Sequence, residues 1–201
     1  MQYKNIVFDM GNVLVDYNPE NVIRRFSDDE SLISEIKNRL FFSAEWILLD
    51  AGLLSEEEAI EKIIARMQSA QMKELTRKCF AHWHEYNVWA MPGMSEVLIR
   101  LKEKEHRIYV LSNASIRLPG CYRNFMPEWQ LYDGLLFSAE EKCIKPQKII
   151  YHKFFERFRL NPAECFFIDD LPQNIEGAKS CGMDGYVFKG NIAELKTLLR
   201  L

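Results

Sequence analysis

Four groups of polar residues each follow a short apolar run, and their types suit chemistry on a phosphate group. These groups are Asp9 with Gly11 and Asn12, Ser112 with Asn113, Lys145, and the pair Asp169 and Asp170. Three carboxylates that meet at one point repel each other unless a cation lies among them, and oxygen ligands of this kind favour Mg²⁺. A lysine adds positive charge for an anionic substrate, and a serine hydroxyl with turn N–H groups can donate hydrogen bonds to phosphoryl oxygens. Each group alone is also common in ordinary turns, but together they predict a site for phosphoryl chemistry.

The elements that must position these residues follow an alternating pattern. Short apolar runs typical of buried strands occur at Tyr3–Phe8, His106–Leu111, Leu135–Phe137, Glu164–Ile168 and Tyr186–Phe188. Helical periodicity occurs at Ser95–Glu105, Gln147–Arg159, Gln173–Cys181 and Ile192–Leu199. This alternation predicts an α/β fold, a doubly wound parallel sheet with helices on both faces. In such a sheet ligands bind beyond the carboxyl ends of the strands, where the polar groups stand.

A long helical stretch interrupts the alternation. Residues 18–90 show helical periodicity with no convincing strand, and Ser55 with Glu58 forms a predicted capping box at the start of one helix. Gly52 is predicted to end the helix before it. We therefore predict an inserted small helical cap at residues 18–90, within a catalytic α/β core made of residues 1–17 and 91–201.

Composition places the chain among ordinary globular proteins. Its 201 residues fit one domain with an insertion, and 26 basic against 29 acidic residues give a net charge of −3. Such a balance does not favour nucleic acid or a membrane surface as the main partner.

The five cysteines form no CxxC pair and are read as free thiols. No apolar run approaches the ~18 residues of a membrane span, and no secretory leader pattern is visible, so we expect a cytoplasmic protein. The sequence leaves the oligomeric state open.

In their order along the chain, the four groups resemble the four motifs of the haloacid dehalogenase-like hydrolase superfamily. The matching segments are Phe8–Val13, Leu111–Ala114, Lys145–Pro146, and Asp169–Asp170 followed by Asn174–Ala178. The similarity covers nearly the whole chain and implies a Rossmann-like core. It points in particular to the branch with a small helical cap that includes bacterial glucose-1-phosphate phosphatase.

This resemblance implies a Mg²⁺-dependent phosphomonoesterase that acts through an aspartyl-phosphate on a small phosphorylated metabolite. Sugar phosphates, such as a sugar 1-phosphate, are the expected substrates. Asp9 would be the nucleophile and a metal ligand. Gly11 through its main-chain carbonyl and Asp170 through its carboxylate would also bind the metal, with Asp169 either a ligand or a holder of bound water.

The remaining matched residues would bind the phosphoryl group. Ser112 and Asn113 would contact its oxygens, and Lys145 would balance the charge of nucleophile and phosphate, so that positioning and electrostatics supply most of the rate. The cap would close over the site and exclude water. Its aromatic residues either line a sugar-sized pocket or pack the interior of the cap itself; they are Phe41, Phe42, Trp46 and Trp83.

Two departures from the pattern occur; the smaller is Lys142 and Gln147 near Lys145, and the larger is at position 11. Most phosphatases of this superfamily carry a second aspartate two residues after the nucleophile, and this chain has Gly11 there. Glycine can neither protonate the leaving alcohol nor activate water. An acidic leaving group, such as the anomeric hydroxyl of a sugar 1-phosphate or an acyl phosphate, makes the acid less necessary. Otherwise another residue must replace it, and the candidates are Asp16, His82 and His84.

Two other functions stay open at this point. Gly11 allows a non-catalytic phosphate-binding or regulatory module that keeps the fold without turnover. A haloacid dehalogenase would use Asp9 to attack carbon, but that reaction has no use for the adjacent carboxylates Asp169 and Asp170.

Overall fold

A computed structural model describes residues 3–201, and a parallel β-sheet lies at its centre. The strands in chain order are β1 (Asn5–Phe8), β2 (Val15–Tyr17), β3 (Val88–Ala90), β4 (Arg107–Ser112), β5 (Gly134–Phe137), β6 (Cys165–Asp169) and β7 (Asp184–Val187). The parallel sheet has the order β5-β4-β1-β6-β7, and β2 pairs with β3 in a separate antiparallel ribbon. The polar residues that follow β4, β1 and β6 therefore come from adjacent strands.

Helices cover both faces of the sheet. They are α1 (Glu20–Arg24), α2 (Glu30–Ile36), α3 (Ala44–Asp50), α4 (Glu56–Ala65), α5 (Ala70–Tyr86), α6 (Met94–Glu103), α7 (Leu118–Cys121), α8 (Ser138–Glu141), α9 (Lys148–Phe158), α10 (Pro172–Lys179) and α11 (Ile192–Leu199). The predicted α/β fold with a doubly wound parallel sheet is confirmed. Among the residues that the structure describes, no helix combines the length and the apolar character needed to cross a bilayer.

Alternation along the strands divides the interior into two apolar layers. In β1, Ile6 and Phe8 face the larger cluster, which also contains apolar residues of α6 and α11. Val7, between them, faces the smaller cluster, together with apolar residues of α9 and α10. The larger cluster continues without a break into α1–α5, so the same hydrophobic contacts that cover the sheet also hold these helices near the strand ends.

Residues 18–90 are mainly helical as predicted, but the expectation that they hold no strand is wrong. The three residues Val88–Ala90 pair with β2, with Tyr17 opposite Val88 and Val15 opposite Ala90. A strand of three residues is too short to show a period of two in sequence, and its partner lies some 70 residues away along the chain. The ribbon joins the helical residues 20–86, hereafter the helical segment, to the sheet.

Local signals inside the helical segment are confirmed. Ser55 Oγ accepts a hydrogen bond from the N–H of Glu58 at 3.2 Å, and the Ser55 N–H donates to Glu58 Oε2 at 3.2 Å, which is the predicted capping box. Gly52 has φ +64° just beyond α3, a left-handed conformation that suits glycine at the end of a helix.

A polar contact and a close main-chain approach hold the helical segment against the rest of the chain at two points. Arg117, just before α7, donates to both carboxylate oxygens of Glu56 at 2.8 Å and to the carbonyl of Phe80 at 2.8 Å. At the second point the main chain at Gly52 approaches Ala139 so closely that a Cβ there would lie 2.1 Å from the Ala139 carbonyl oxygen. These contacts set the position of the helical segment over the carboxyl ends of the strands.

A close approach at Gly177 in α10 generates a stability prediction. A Cβ there would lie 2.9 Å from the carbonyl oxygen of Pro146 and 3.0 Å from the Tyr151 ring. We expect Gly177→Ala to lower the free energy of unfolding by about 1–3 kcal/mol through overpacking, measured by urea denaturation. Gly120→Ala is the matched control, because that helical glycine is exposed and has open space around its α-carbon. Equal stability of the two variants would contradict the assigned packing.

Candidate functional site

The structure brings all of the predicted site residues to one end of the sheet. A cavity of about 290 Å³ lies at the carboxyl ends of β1, β4 and β6, beneath the helical segment. Six of the predicted residues line it: Asp9, Gly11, Ser112, Asn113, Lys145 and Asp170. The seventh, Asp169, is fully buried next to them and contacts Lys145.

The Lys145 ammonium joins two of the carboxylates. Its Nζ lies 2.8 Å from Asp9 Oδ1 and 2.7 Å from Asp169 Oδ2, with the Lys145 side chain only 1% exposed. Burial on its own would lower the pKa of Lys145, but the two carboxylates outweigh it and raise that pKa. Burial raises the pKa of Asp9 to about 7, with Lys145 opposing the shift and Asp169 adding to it. Lys145 is therefore held as a cation in contact with Asp9.

Asn113 holds the loop that carries Lys145. Its Nδ2 donates to the main-chain carbonyl of Lys145 at 3.0 Å, and its Oδ1 accepts from the Lys145 N–H at 2.8 Å. This reciprocal pair commits the Asn113 amide to the loop. Ser112, at the end of β4, lines the cavity with its side chain almost fully buried.

The adjacent aspartates have different surroundings. The Asp169 carboxylate accepts hydrogen bonds from the N–H of Leu171 at 2.9 Å and from Asn174 Nδ2 at 3.0 and 3.1 Å, in addition to the Lys145 ammonium. Its acceptor sites are thus occupied by protein donors. Asp170 is half-buried, and Asn12 Nδ2 donates to it at 3.2 Å. Asp170 keeps acceptor capacity for a ligand, whereas Asp169 holds Lys145 and Asn174 in place.

The donor set fits a small divalent cation. One oxygen from each of Asp9, Asp169 and Asp170 can be chosen so that all three lie within 4.8 Å of one another. A single ammonium faces these three carboxylates, and the uncompensated negative charge contributes to the raised pKa of Asp9. Carboxylate oxygens with room for water and phosphate are the ligands Mg²⁺ takes. The surroundings described above favour Asp9 and Asp170 as the direct ligands.

None of the predicted replacements for the missing acid lines the cavity. In β2, Val15 and Tyr17 line it, so Asp16 between them faces the other way. His82 is partly exposed on α5, and His84 contacts Arg117 at 3.4 Å. Burial and the Arg117 guanidinium lower the pKa of His84. All three residues lie outside the cavity that holds Asp9.

Three polar cavity residues were missed by sequence reasoning: Tyr17, Asp50 and Ser115. One signal for Asp50 was available, since a carboxylate at the carboxyl end of a helix is opposed by the helix dipole and suggests another role. Two of the candidate aromatics, Trp46 and Trp83, line the cavity.

The other two candidate aromatics do not line the cavity. Phe41 is buried against Trp46, with ring centroids 4.8 Å apart, and Phe42 is 66% exposed. Trp46 and Trp83 thus fit the expectation of lining and Phe41 that of packing, whereas Phe42 fits neither.

Comparisons with known proteins agree on one family. A family model for haloacid dehalogenase-like hydrolases matches residues 3–182. Among curated proteins, the chain is 24% identical over 203 aligned positions to a sesquiterpene phosphatase of Aspergillus oryzae, a match that covers 99% of this chain and 96% of that protein. It is also 24% identical over 196 positions to D-ribitol-5-phosphate phosphatase of Bacteroides thetaiotaomicron, covering 91% and 90% of the two chains.

A solved structure shares the fold. The structure of a HAD family enzyme of Bacteroides thetaiotaomicron, in complex with magnesium and inorganic phosphate, matches with a TM-score of 0.73. The two chains are 23% identical, and the match covers 96% of this chain and 98% of that one.

The unequal surroundings of the two aspartates generate a prediction about metal binding. Asp170→Asn removes a carboxylate that keeps acceptor capacity, so we expect it to weaken Mg²⁺ binding by about tenfold or more. Isothermal titration of the folded protein with MgCl₂ measures this directly. Asp28→Asn, at an exposed position that does not line the cavity, is the control. Unchanged Mg²⁺ affinity in Asp170→Asn would remove Asp170 from the metal site.

Proposed function

The chain belongs to the haloacid dehalogenase-like hydrolases, and we propose that it is a Mg²⁺-dependent phosphomonoesterase acting through an aspartyl-phosphate on a small phosphorylated metabolite. The observation that carries this proposal is the contact of Asp9 with Lys145 beside the carboxylates Asp169 and Asp170. A cluster of carboxylates needs a cation, and attack on a carbon–halogen bond does not. The arrangement therefore favours phosphoryl transfer over dehalogenation.

The residues around the cavity can carry both halves of the reaction. In the first half, an Asp9 carboxylate oxygen bonds to phosphorus and the bond from phosphorus to the leaving oxygen breaks. Since Gly11 has no side chain, the leaving oxygen takes its proton from water. In the second half, a water oxygen bonds to phosphorus and the bond from phosphorus to the Asp9 oxygen breaks. The proton of the attacking water passes to solvent, inorganic phosphate leaves, and the Asp9 carboxylate is restored.

Fixed charges and donors stabilise the phosphoryl group in both steps. Lys145 holds its ammonium against Asp9, and Ser112 can donate a hydrogen bond to a phosphoryl oxygen. Asn113 and Asp169 act as positioning residues, because they hold the loop and the ammonium of Lys145. When bound by Asp9 and Asp170 with the Gly11 carbonyl, Mg²⁺ supplies positive charge that offsets the negative charge of the phosphoryl group.

We infer that residues 18–90 act as a cap over an α/β core made of residues 1–17 and 91–201. Trp46 and Trp83 of this region line the cavity, so the cap shields the reacting group from bulk water. A cavity of about 290 Å³ is at the small end for ligand sites and favours a compact metabolite. Sugar 1-phosphates are the favoured candidates among these, since their acidic anomeric leaving group does not need a general acid at position 11.

The proposal is tested by phosphate release from a panel of sugar 1-phosphates, sugar 6-phosphates, nucleotides, acyl phosphates and phenyl phosphate. We expect Mg²⁺-dependent turnover that falls to background in Asp9→Asn, because the amide cannot attack phosphorus. Binding of Mg²⁺ and inorganic phosphate without any turnover would instead support a non-catalytic module. Metal-independent chloride release from chloroacetate would support a dehalogenase.

Open space at Gly11 allows the missing carboxyl to be restored. A Cβ at this position meets no heavy atom within 4 Å, and its φ is not in the left-handed region. We expect Gly11→Asp to speed hydrolysis of alkyl phosphates by tenfold or more, toward the ~10²–10⁴-fold typical of acid–base catalysis. Phenyl phosphate, with a good leaving group, should gain much less.

The matched control is Gly11→Asn, which has the same shape but cannot transfer a proton. Steady-state rates of cyclohexyl and phenyl phosphate hydrolysis for the three proteins measure the effect. An equal gain for both variants would show that the side chain acts by some means other than proton transfer.

A further inference from the structure

The proposed reaction leaves one ionisable side chain of the cavity without a role. Of the described residues that line the cavity, five have ionisable side chains: Asp9, Tyr17, Asp50, Lys145 and Asp170. In the proposed reaction Asp9 is the nucleophile, Lys145 balances its charge, and Asp170 binds the metal. The Tyr17 hydroxyl is fully buried, so it does not reach a ligand in the cavity. Asp50 is therefore the group left to exchange a proton with a bound molecule.

The carboxyl group of Asp50 is open to the cavity. Asp50 is the last residue of α3, it is partly exposed, and it lines the cavity that holds Asp9. Its side-chain oxygens have no side-chain partner among residues 3–201, yet they are not sealed from solvent as Tyr17 Oη and Ser115 Oγ are. The main-chain N–H of Ser115 faces the carboxyl group from one side. The remaining capacity of the two oxygens is available to a water molecule in the cavity.

Asp50 holds a proton at neutral pH. Burial raises the pKa of Asp50 to about 8, and the Ser115 N–H opposes this shift only in part. The titratable group beside it is Tyr17, whose pKa is also raised, by burial and by Asp50, so that it stays neutral. The dipole of α3 acts in the same direction, because a negative charge at the carboxyl end of a helix is unfavourable. A carboxyl group that is protonated near the working pH is in the state that a general acid requires.

Hydrogen bonds anchor the end of α3 to the sheet. The Asp50 carbonyl accepts a hydrogen bond from Ser138 Oγ, and Ser138 Oγ accepts one from the N–H of Ala114 at 2.8 Å. Two residues further along, the Gly52 carbonyl accepts a hydrogen bond from Lys142 Nζ at 2.9 Å. Ala114 lies just beyond β4, the strand that ends at the phosphate-binding candidates. Asp50 is thus tied to the phosphoryl site, although it belongs to the helical segment, and a catalytic acid needs such a fixed position.

We propose that Asp50 is the general acid of the reaction and supplies a proton, through one water molecule, to the leaving oxygen. This inference rests on the proposed phosphatase function and identifies the source of the proton that Gly11 cannot give. As the bond from phosphorus to the leaving oxygen breaks, the water passes one proton to that oxygen and takes one from the Asp50 carboxyl group. The alcohol gains the proton that Asp50 loses, and the water is unchanged. In the second half of the reaction, the proton that the attacking water releases to solvent restores the Asp50 carboxyl group.

Two esters with different leaving groups test the role of Asp50. Cyclohexanol is a poor leaving group that needs a proton, whereas phenol is a good one. We expect Asp50→Asn, which keeps the shape but cannot transfer a proton, to lower kcat/KM for cyclohexyl phosphate with Mg²⁺ by about tenfold or more. The value for phenyl phosphate should change much less, which also shows that the variant is folded. The matched control is Asp16→Asn, because Asp16 faces away from the cavity, and it should keep both wild-type values.

The pH dependence of the wild type gives a readout that needs no variant. The measured quantity is the kcat/KM value for cyclohexyl phosphate divided by that for phenyl phosphate, because this ratio cancels groups such as Asp9 that act on both esters. We expect the ratio to fall as the pH rises through about 8, where Asp50 loses the proton that it donates. In Asp50→Asn the ratio should be low and constant over the same range. A wild-type ratio that stays constant through this range would contradict the assignment.

A double substitution completes the test. A carboxyl group at position 11 can supply the proton itself, so Asp50→Asn should cost cyclohexyl phosphate hydrolysis much less in the Gly11→Asp background than in the wild type. An equal loss with both esters in Asp50→Asn, or no loss with either, would refute the role of Asp50 alone. Wild-type hydrolysis of phenyl phosphate without any hydrolysis of cyclohexyl phosphate would refute it as well. Hydrolysis of no ester in the whole panel by the wild type would refute the proposed function itself.

Discussion

The Lys145 ammonium between Asp9 and Asp169 is the interaction on which the active end of the molecule depends. A buried cation or carboxylate without its partner is strongly destabilising, so each of these three residues needs the other two. They meet because β1 and β6 are adjacent and in register, with Phe8 opposite Ile168, which places Asp9 beside Asp169. The order of strands in the sheet therefore brings the residues of the site together.

A second tier of contacts holds this charge cluster in place. Asn174 donates to both oxygens of Asp169, and its own carbonyl accepts a hydrogen bond from the Tyr151 hydroxyl at 2.7 Å. Tyr151 lies in α9 and Asn174 in α10, so two helices on one face of the sheet fix the position of the Asp169 carboxylate. On the other side of β1, Asn113 of the β4 end fixes the main chain of Lys145. Hydrogen bonds from Asn113, Asn174 and Tyr151 thus help to determine where the ammonium lies.

The sequence allowed the sheet and its chemistry to be predicted because both have local signals. Each buried strand is a short apolar run, and the polar residue that follows it marks the carboxyl end. The strand β3 had no such signal, since three residues show no periodicity. Tyr17, Asp50 and Ser115 could not be predicted as cavity residues, because they are distant in sequence and come together only in the folded chain. The different surroundings of Asp169 and Asp170 likewise depend on Asn174 and Lys145, which only the folded chain brings to Asp169.

Gly11 occupies a position where the backbone accepts a side chain and where space for one exists. Some glycine codons differ from aspartate codons by a single base, so a carboxyl group can be gained or lost here in one mutational step without repacking the fold. A side chain at this position meets no steric barrier, so its effect is set by the charges of the neighbouring carboxylates and by the chemistry it adds. A single substitution can therefore add or remove a proton donor at the cavity while the other residues of its wall stay unchanged.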